Sequence, residues 1–316
     1  MTAIRVNNLV KTYKNGVKAL DGLTLTVKEG EVFSLLGPNG AGKSTLINVL
    51  TTYLCPTSGD VTMLGNDIAK EPAKTRSKIA CVAQRTSIDT HLSLKENMIF
   101  QSKLYKVPKS DAIKRMEMLI SCFALQKYIK YPVLSYSGGV KRRLDIALNL
   151  MSNPKVLFLD EPTVGMDLQS RMAMWDMVKI IKNDLGTTVF LTTHYLEEAD
   201  QLSDTICIMK NGKDIIQGSP SCLRDYLRQD MLRIRFSDQT NATICFDYLK
   251  ETIALNESDL RDNQIITNLK NERNDLEKAI QLLLKYGIPF LGIEMIKPTL
   301  EDVFIRLTTE ERKEAI

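Results

Sequence analysis

The chain has 316 residues, of which 44% are hydrophobic and 25% are charged, and its formal net charge is only +4. This length is enough for one large domain and a smaller one, because single cores stop growing at about 250–300 residues. The near balance of 42 basic and 38 acidic side chains gives no reason to expect a nucleic-acid partner. The cysteines form no CxxC pair and mostly fall within apolar runs, as buried free thiols would, so we expect a reducing compartment and no zinc.

The N-terminal residues Met1–Arg5 contain no basic segment followed by an apolar core, so a secretory signal is not expected. No uncharged apolar stretch approaches the roughly 20 residues needed to cross a bilayer. We therefore expect the protein to stay in the cytosol and to depend on a partner for any role at a membrane.

The first segments alternate as strands, at residues 2–10 and 23–27, with turn signals at Asn15-Gly16 and Asp21-Gly22 between them. Tyr13 lies in this hairpin region. Its ring either stacks on a nucleotide base or covers a sheet edge, and this position alone does not decide between the two.

A glycine-rich loop follows the apolar run Val32–Leu36 and precedes the apolar periodic stretch Leu46–Leu50. Its spacing fits G-x-x-x-x-G-K-[ST], in which backbone N–H groups and a helix N-terminus bind a polyphosphate while side chains would obstruct the approach. Lys43 would add a point charge, and Ser44 a magnesium ligand. An ordinary strand-to-helix turn is the alternative, but the flanking strand and helix favour a nucleotide site.

A mostly β excursion and a helical region come next. Residues 55–60 are interpreted as a loop, Val61–Leu64 as a strand, and Ile79–Ala83 as a short strand that ends at Gln84. Ligands collect at the carboxyl ends of strands in α/β sheets, so Gln84 is placed to touch magnesium or water, with a solvated loop residue as the alternative. From residue 93 to 131 the apolar period is helical.

The segment Ser137-Gly138-Gly139 opens a helix whose first turn contains Lys141, Arg142 and Arg143. The helix dipole disfavours cations at this end by a few tenths to about 1 kcal/mol each. An anion bound at Ser-Gly-Gly would make the energy of these cations favourable instead. The alternative is that the long basic side chains splay into water.

Two carboxylates end the predicted buried strand Val156–Glu161, a costly arrangement unless charge is needed at its tip. In a phosphate-loop protein Asp160 would hold magnesium, and Glu161 would orient and polarise the attacking water. A helix containing Trp175 in the core follows Gly165-Met166-Asp167. His194 stands beyond the strand at 187–192 and is placed to donate to a γ-phosphate; a helix-capping or surface histidine is the alternative.

In the C-terminal third, the sequence predicts a hairpin with a type I′ turn at Asn211-Gly212. Beyond residue 229 it predicts a small α+β domain without a group of catalytic residues. The apolar stripe of its last helix, opened by a capping box at Thr299–Asp302, packs internally or docks on a second copy. Short strands are predicted at 231–236, 242–246 and 264–268, and a helix at 274–286 with Leu276, Ile280, Leu283 and Leu284 inward.

Taken in this order, the motifs resemble those of the ATP-binding subunit of ABC transporters over residues 2–225. Two positions depart from the commonest signature Leu-Ser-Gly-Gly-Gln, with Tyr136 in place of Leu and Val140 in place of Gln. The matched motifs are the aromatic A-loop at Tyr13, Walker A at Gly37–Thr45, the Q-loop at Gln84, the signature at Ser137–Gly139, Walker B at Val156–Glu161, the D-loop at Gly165–Asp167 and the switch histidine at His194.

The resemblance implies an α/β fold of the ABC type of P-loop NTPase, with a RecA-like core, an antiparallel β subdomain and a helical subdomain at about 90–150. The ATP-binding domain would span 1–228 and a small C-terminal α+β domain 229–316. ATP and Mg²⁺ are the implied cofactors, with catalytic residues Glu161, His194, Lys43 and Gln84 and metal ligands Ser44, Gln84 and Asp160. The implied nucleotide-binding residues are Tyr13, Gly37, Pro38, Asn39, Gly40, Ala41, Gly42, Lys43, Ser44, Thr45, Ser137, Gly138, Gly139 and Asp167.

Tyr-Ser-Gly-Gly with its basic run, together with Pro298–Phe304, resembles the daunorubicin-resistance branch, whose members export drugs, lipids or polysaccharides through a separate permease. This resemblance implies a homodimer closed on two ATP molecules, an integral-membrane permease as partner, no nucleic acid, and a place on the inner face of the cell membrane. Each ATP would meet one copy's phosphate loop and the other copy's Ser137–Gly139.

Two rival classes are less consistent with the sequence. A soluble ABC ATPase acting on ribosome or DNA would usually carry two cassettes, a long charged linker, a coiled coil or zinc cysteines, and the sequence has none of these. A non-catalytic, ATP-gated regulatory module would be expected to lose Glu161 or His194, and both are present.

Overall fold

The computed structural model describes residues 1–226, 231–252, 258–268 and 272–309. The chain divides into two compact units, Met1–Pro220 and Ser221–Ile316. The sequence places the domain boundary at residue 228, whereas the division by contacts lies at Pro220. None of the helices in the described residues is long and apolar enough to cross a membrane.

The first unit combines ten strands, seven α-helices and two short 3-10 helices, Gln126–Tyr128 and Val133–Ser135, within its described residues. Its strands are β1 Thr2–Thr12, β2 Lys18–Lys28, β3 Val32–Leu36, β4 Ser58–Met63, β5 Asn66–Asp67, β6 Ile79–Val82, β7 Val156–Asp160, β8 Thr188–Thr193, β9 Thr205–Lys210 and β10 Lys213–Gly218. Its helices are α1 Lys43–Leu50, α2 Pro72–Arg76, α3 Leu94–Leu104, α4 Lys109–Cys122, α5 Gly138–Leu150, α6 Leu168–Asn183 and α7 Leu196–Leu202, and α8 Pro220–Asp225 begins at the division.

The N-terminal strands form an antiparallel sheet in the order β2-β1-β4-β5. Two details differ from the prediction. Asp21-Gly22 is not a turn between strands but lies inside β2, where Gly22 has φ 82° and the register with β1 shifts, so the sequence signal marks a bulge. Residues 58–60, interpreted as loop, belong to β4, which pairs with β1.

A six-stranded sheet in the order β10-β9-β3-β8-β7-β6 forms the centre of the first unit. Its strands β9, β3, β8, β7 and β6 are parallel, and their residues are almost all buried, which explains the continuous apolar runs. The rings of Phe33 and Phe190 stack with centroids 5.1 Å apart, and the Phe158 ring is tilted against Phe190 at 5.4 Å. The carboxyl ends of these parallel strands meet at one edge, as predicted for the nucleotide site.

The predicted helical region between 93 and 131 contains α3 and α4, which pack with α5 in one hydrophobic cluster. Ser93 and Glu96 form a capping box at the start of α3. The predicted hairpin at the end of the unit is β9 and β10. Asn211 and Gly212 both have positive φ, 51° and 78°, as a type I′ turn requires.

The second unit is α+β, as predicted. Its sheet is antiparallel in the order β12-β13-β11-β14, and Thr299 and Asp302 form the predicted capping box at its last helix. Its elements are β11 Met231–Arg235, α9 Gln239–Thr252, β12 Ser258–Arg261, β13 Gln264–Asn268, α10 Glu272–Lys285, β14 Gly292–Ile296 and α11 Leu300–Thr309.

Two predictions for the second unit are wrong. The segment 242–246 is not a strand but part of α9, because its buried residues Ala242, Cys245 and Leu249 recur at helical rather than alternating spacing. On α10, Leu284 is 70% exposed instead of inward and Leu282 is buried in its place, whereas Leu283 is buried as predicted.

The expectation of mostly buried cysteines is also wrong. Only Cys207 and Cys245 are buried, whereas Cys55 and Cys222 are exposed and Cys81 and Cys122 are half-buried. An apolar neighbourhood in sequence does not determine which way a side chain at that position points. None of the six cysteines, all of which lie in the described residues, forms a disulfide.

Candidate functional site

The phosphate loop connects β3 to α1. Its last glycine, Gly42, is the N-cap of α1 with φ 107°, and no side chain caps the N–H groups of the first turn. Gly40 also has positive φ, 81°. Uncapped N–H groups at a helix N-terminus are suited to bind an anion, so this loop fits a polyphosphate.

Glycine is needed in this loop for a reason that the sequence did not indicate. A Cβ on Gly37 would lie 2.4 Å from the carbonyl oxygen of Met209, and one on Gly42 would lie 2.4 Å from that of Ala19. The turn after β9 supports the loop, since Gly212 N–H donates to the Ala41 carbonyl at 2.9 Å. These glycines therefore let the protein's own backbone approach the loop closely from the side of the core.

Lys43 is the first residue of α1 after the loop and is only 7% exposed. Its Nζ donates to the carbonyl oxygens of Gly37 at 2.8 Å and Pro38 at 3.2 Å. Burial lowers the pKa of Lys43, and the nearby carboxylates of Glu161 and Asp160 oppose that shift. The loop thus holds a buried ammonium whose carbonyl partners can be exchanged for phosphate oxygens.

Tyr13 is placed beside the first turn of α1. Its Oη lies 3.1 Å from Oγ1 of Thr45, and Lys11 Nζ lies 5.8 Å from the ring centroid. The ring is partly exposed. This contact places it next to the phosphate loop, where a base can stack on its face.

A threonine from the neighbouring strand is hydrogen-bonded to the end of β7. Thr192 Oγ1 donates to Asp160 Oδ1 at 2.6 Å, and the N–H of Glu161 donates to Thr192 O and Oγ1, each at 3.1 Å. Glu161 itself has φ 46°, an uncommon conformation for a residue with a side chain. Sequence analysis missed Thr192; the available signal was a polar side chain at the carboxyl end of a buried strand.

The left-handed turn brings Glu161 together with two other predicted residues. Its Oε1 lies 3.4 Å from His194 Nδ1 and 4.0 Å from Lys43 Nζ. Glu161 and His194 directly follow β7 and β8, and Lys43 begins α1 after the loop that follows β3; these three strands are neighbours in the sheet. The structure thus brings together a carboxylate, an imidazole and an ammonium beside an anion-binding loop.

The Ser-Gly-Gly segment lines a cleft of about 240 Å³. Gln84, Glu161 and Asp167 line the same cleft, but Lys43 and Ser44 do not. The carboxylate of Asp167 is engaged as the N-cap of α6, where Oδ1 accepts from Ser170 N at 2.8 Å and Oδ2 from Ser170 Oγ at 3.0 Å. These bonds hold the pKa of Asp167 below its ordinary value.

Comparisons with known proteins agree with this geometry. A family model described as ABC transporter matches residues 20–164. The daunorubicin/doxorubicin resistance ATP-binding protein DrrA of Streptomyces peucetius is 36% identical over 307 residues, which cover 97% of this chain and 92% of that protein. The chain belongs to the ABC transporter family as one of its ATP-binding proteins. The Nod factor export ATP-binding protein I of Sinorhizobium fredii is 32% identical over 315 residues, 99% of this chain and 88% of that protein.

Solved structures of ABC proteins share the fold. The structure of cbiO1 from Clostridium perfringens, part of the ABC transporter complex cbiONQ, has a TM-score of 0.66 at 30% identity and covers 70% of this chain and 90% of its own. The dimeric, post-hydrolysis ATP-binding cassette MJ0796 with ADP and Pi has a TM-score of 0.60 at 27% identity. The match covers 68% of this chain and 98% of that chain. This ABC protein is an ATPase.

The metal that accompanies ATP in this family is Mg²⁺, and the residues present fit it. Ser44 carries a hydroxyl, Asp160 a carboxylate and Gln84 an amide oxygen, and such hard oxygen ligands are those that Mg²⁺ prefers. Ser44 and Gln84 are exposed, and Asp160 is half-buried at the strand end. Mg²⁺ is therefore the cofactor of this ABC ATPase.

The three cations of the signature helix donate to backbone carbonyl oxygens instead of splaying into water, the alternative that the sequence left open. Lys141 Nζ donates to Leu134 O at 3.2 Å, and Arg143 Nη1 donates to Phe123 O at 3.1 Å. Arg142 is buried and donates to the backbone of two strand ends. Each cation therefore finds a carbonyl oxygen within its own chain, which offsets the unfavourable dipole.

The two departures in the signature of this ABC protein have structural explanations. Tyr136 is buried, and its hydroxyl donates to Tyr128 O at 2.6 Å and to Tyr131 O at 3.2 Å. Val140 is buried in the helical cluster, so the position that usually carries a Gln amide contributes packing here. Ser137 remains the N-cap of α5, with its Oγ accepting from Val140 N at 3.4 Å.

Proposed function

We propose that this ABC ATPase is the energy-supplying subunit of an exporter, and that it works as a dimer around two ATP molecules and drives a separate membrane permease. The observation that carries the proposal is the group of Lys43, Glu161 and His194 beside the uncapped phosphate loop. The dimeric form of the related cassette MJ0796 supports a second copy as the source of the Ser137–Gly139 segment.

The hydrolytic step uses residues at the carboxyl edge of the central sheet. The loop amides and Lys43 neutralise the phosphates, and preorganised donors of this kind stabilise developing charge without reorganisation. Glu161 accepts a proton from the attacking water, and His194 donates to the γ-phosphate. Ser44, Asp160 and Gln84 would hold Mg²⁺, which would supply further neutralisation of phosphate charge.

The second copy contributes the other half of each site. Its Ser137 hydroxyl and the N–H groups of Gly138 and Gly139, at the N-terminus of α5, meet the γ-phosphate. Asp167 of the D-loop lines the same cleft as this segment, which supports a role for it at the dimer interface. The Tyr13 ring stacks on the base. Binding of ATP closes the dimer, and hydrolysis reopens it.

The assignment of this chain to an exporter branch is supported by relatives that match almost the whole chain. One is by name a daunorubicin/doxorubicin resistance protein and another a Nod factor export protein. By this similarity the cargo is a drug, lipid or polysaccharide, and the permease is a separate integral-membrane chain. The subunit would be cytoplasmic and bound peripherally to the inner face of the cell membrane. Gln84 and the helices that follow it would pass the motion to the permease.

Co-purification tests this function. A tagged Glu161→Gln chain, which retains ATP, is isolated from detergent-solubilised native membranes with ATP and Mg²⁺, and its partners are identified by mass spectrometry. A tagged Glu197→Gln chain, altered at an exposed glutamate of α7, is the matched control for the tag and the substitution. A multi-span membrane protein in stoichiometric amount with both chains is the expected result. Ribosomal or DNA-repair proteins without a membrane partner would contradict the proposal.

A further inference from the structure

Arg142 is a buried cation that the hydrolytic step does not use. It lies near the start of α5, the helix that begins with the signature, and only 4% of it is exposed. Its Nη1 donates to the carbonyl oxygen of Ala83, and its Nη2 donates to that of Asp160 at 3.1 Å. Ala83 precedes Gln84, and Asp160 precedes Glu161. One guanidinium therefore joins the signature helix to the two strand ends that carry these residues.

Asp145, one turn further along α5, holds this arrangement in place. It is 1% exposed, and its Oδ2 lies 3.6 Å from Arg142 Nη1. Its Oδ1 accepts from Ser87 N at 3.3 Å and from Ser87 Oγ at 2.9 Å. The pair thus contacts the segment 83–87 at both of its ends, on either side of Gln84.

Stability alone does not explain a buried ion pair at this place. Desolvation of two charges offsets much of their attraction, and replacement by apolar residues of similar volume is often neutral or stabilising. The arrangement also leaves Arg142 Nε without a hydrogen-bond partner in the described parts of the chain, and such a group is costly. The pair instead connects three segments in a fixed arrangement: the start of α5, residues 83–87 and the end of β7.

We propose that Arg142, held by Asp145, is a positioning residue that couples the signature helix to Gln84 and to the Asp160–Glu161 strand end. Its planar fork contacts both strand ends at once, so a shift of either one moves the N-terminus of α5 with it. A lysine keeps the charge but cannot reproduce the fork. The inference rests on the proposed function for the roles of Gln84 and the signature, but not on the permease.

The test measures ATP turnover and nucleotide affinity of the full chain in parallel. For Arg142→Lys we expect kcat to fall at least about tenfold while KM and the affinity for a fluorescent ATP analogue with Mg²⁺ stay within about threefold, because only the step that needs both halves is impaired. Arg143→Lys is the matched control, since Arg143 is the next residue and, in the described parts of the chain, it contacts Phe123 O and the Tyr128 ring of the helical region. Its kcat should stay within about twofold of the unaltered chain.

A second variant separates positioning from stability. Arg142→Met combined with Asp145→Leu removes the connection and replaces the pair by apolar groups, so its thermal midpoint should equal or exceed that of the unaltered chain while kcat stays at least about tenfold lower. Near-native kcat in a folded double variant, or in Arg142→Lys, would overturn the inference. A parallel loss of affinity and kcat in Arg142→Lys would overturn it as well, since it would indicate general damage. Failure to find a permease would leave these outcomes unaffected.

Discussion

The Oε1 atom of Glu161 lies 3.4 Å from Nδ1 of His194, across the ends of the neighbouring strands β7 and β8. The positive φ of Glu161 makes this approach possible, because an extended residue would send the side chain to the other face of the sheet. Glu161→Gln keeps the shape of the side chain and removes its basicity. We expect kcat for ATP to fall about 10²- to 10⁴-fold, as for a lost general base, with ATP affinity retained. Steady-state turnover and equilibrium nucleotide binding measure the two quantities, and unchanged turnover would remove Glu161 from its role.

Lys43 is expected to strengthen the binding of ATP. Its ammonium is buried in the phosphate loop, so Lys43→Ala removes the charge that neutralises the phosphates. The affinity for ATP with Mg²⁺ should fall at least about tenfold, the effect of losing one charge-assisted contact. Lys70→Ala is the control, because Lys70 is exposed and pairs with Asp67 at 3.0 Å away from the loop. Titration with a fluorescent ATP analogue gives both affinities; equal affinities would contradict the assignment.

Tyr136 is expected to stabilise the turn before the signature. Tyr136→Phe removes a buried hydroxyl that donates to two carbonyl oxygens, and these acceptors then lose their partner. The free energy of unfolding should fall by about 1–3 kcal/mol. Urea unfolding measures it, with Tyr131→Phe, which alters a largely exposed ring, as the control. A loss of the same size in both variants would show that the hydroxyl of Tyr136 has no special part.

Glu198 gives the first unit a pH-dependent stability. The side chain is 1% exposed, and burial raises its pKa above the ordinary 4.5, although hydrogen bonds from Thr193 and Thr163 among other contacts oppose the shift. A raised pKa means that the folded state holds the proton more tightly than the unfolded state. The stabilisation is therefore complete below pH 4.5 and is lost as the pH rises through the folded pKa.

The substitution Glu198→Gln removes this loss. The difference in unfolding free energy between the variant and the unaltered chain should shift in favour of the variant as the pH rises from about 4.5, and become constant above the folded pKa. Urea unfolding at a series of pH values measures the difference, with Glu197→Gln, altered at the exposed neighbouring residue, as the control. A pH-independent difference for Glu198→Gln would contradict the assignment.

Features written in consecutive residues could be predicted from the sequence. The strand before the phosphate loop, the helix after it, the position of Glu161 at a strand end and the type I′ turn at Asn211-Gly212 all depend on local pattern. These features were found where the pattern placed them. The roles of the site residues remain predictions that the experiments above test.

Features that depend on distant partners could not be predicted. Thr192 orients the β7 end because β8 lies beside β7, and Arg142 is buried because two strand ends point at it. The segment 242–246 alternates enough to suggest a strand, but the second unit buries one face of a helix there. In each case the deciding contact is made with residues far away in the chain.

The central claim is that each ATP site is shared between two copies, and complementation of two inactive chains tests it most directly. Lys43→Ala disables the phosphate loop. Gly138→Asp places a carboxylate in the signature, and the fold accommodates it, since a Cβ at Gly138 meets no described atom within 4 Å. If sites are shared, each mixed dimer has one intact site and one doubly altered site. An equimolar mixture should then regain about a quarter of the unaltered turnover. A mixture no more active than the average of the two variants would contradict the shared site.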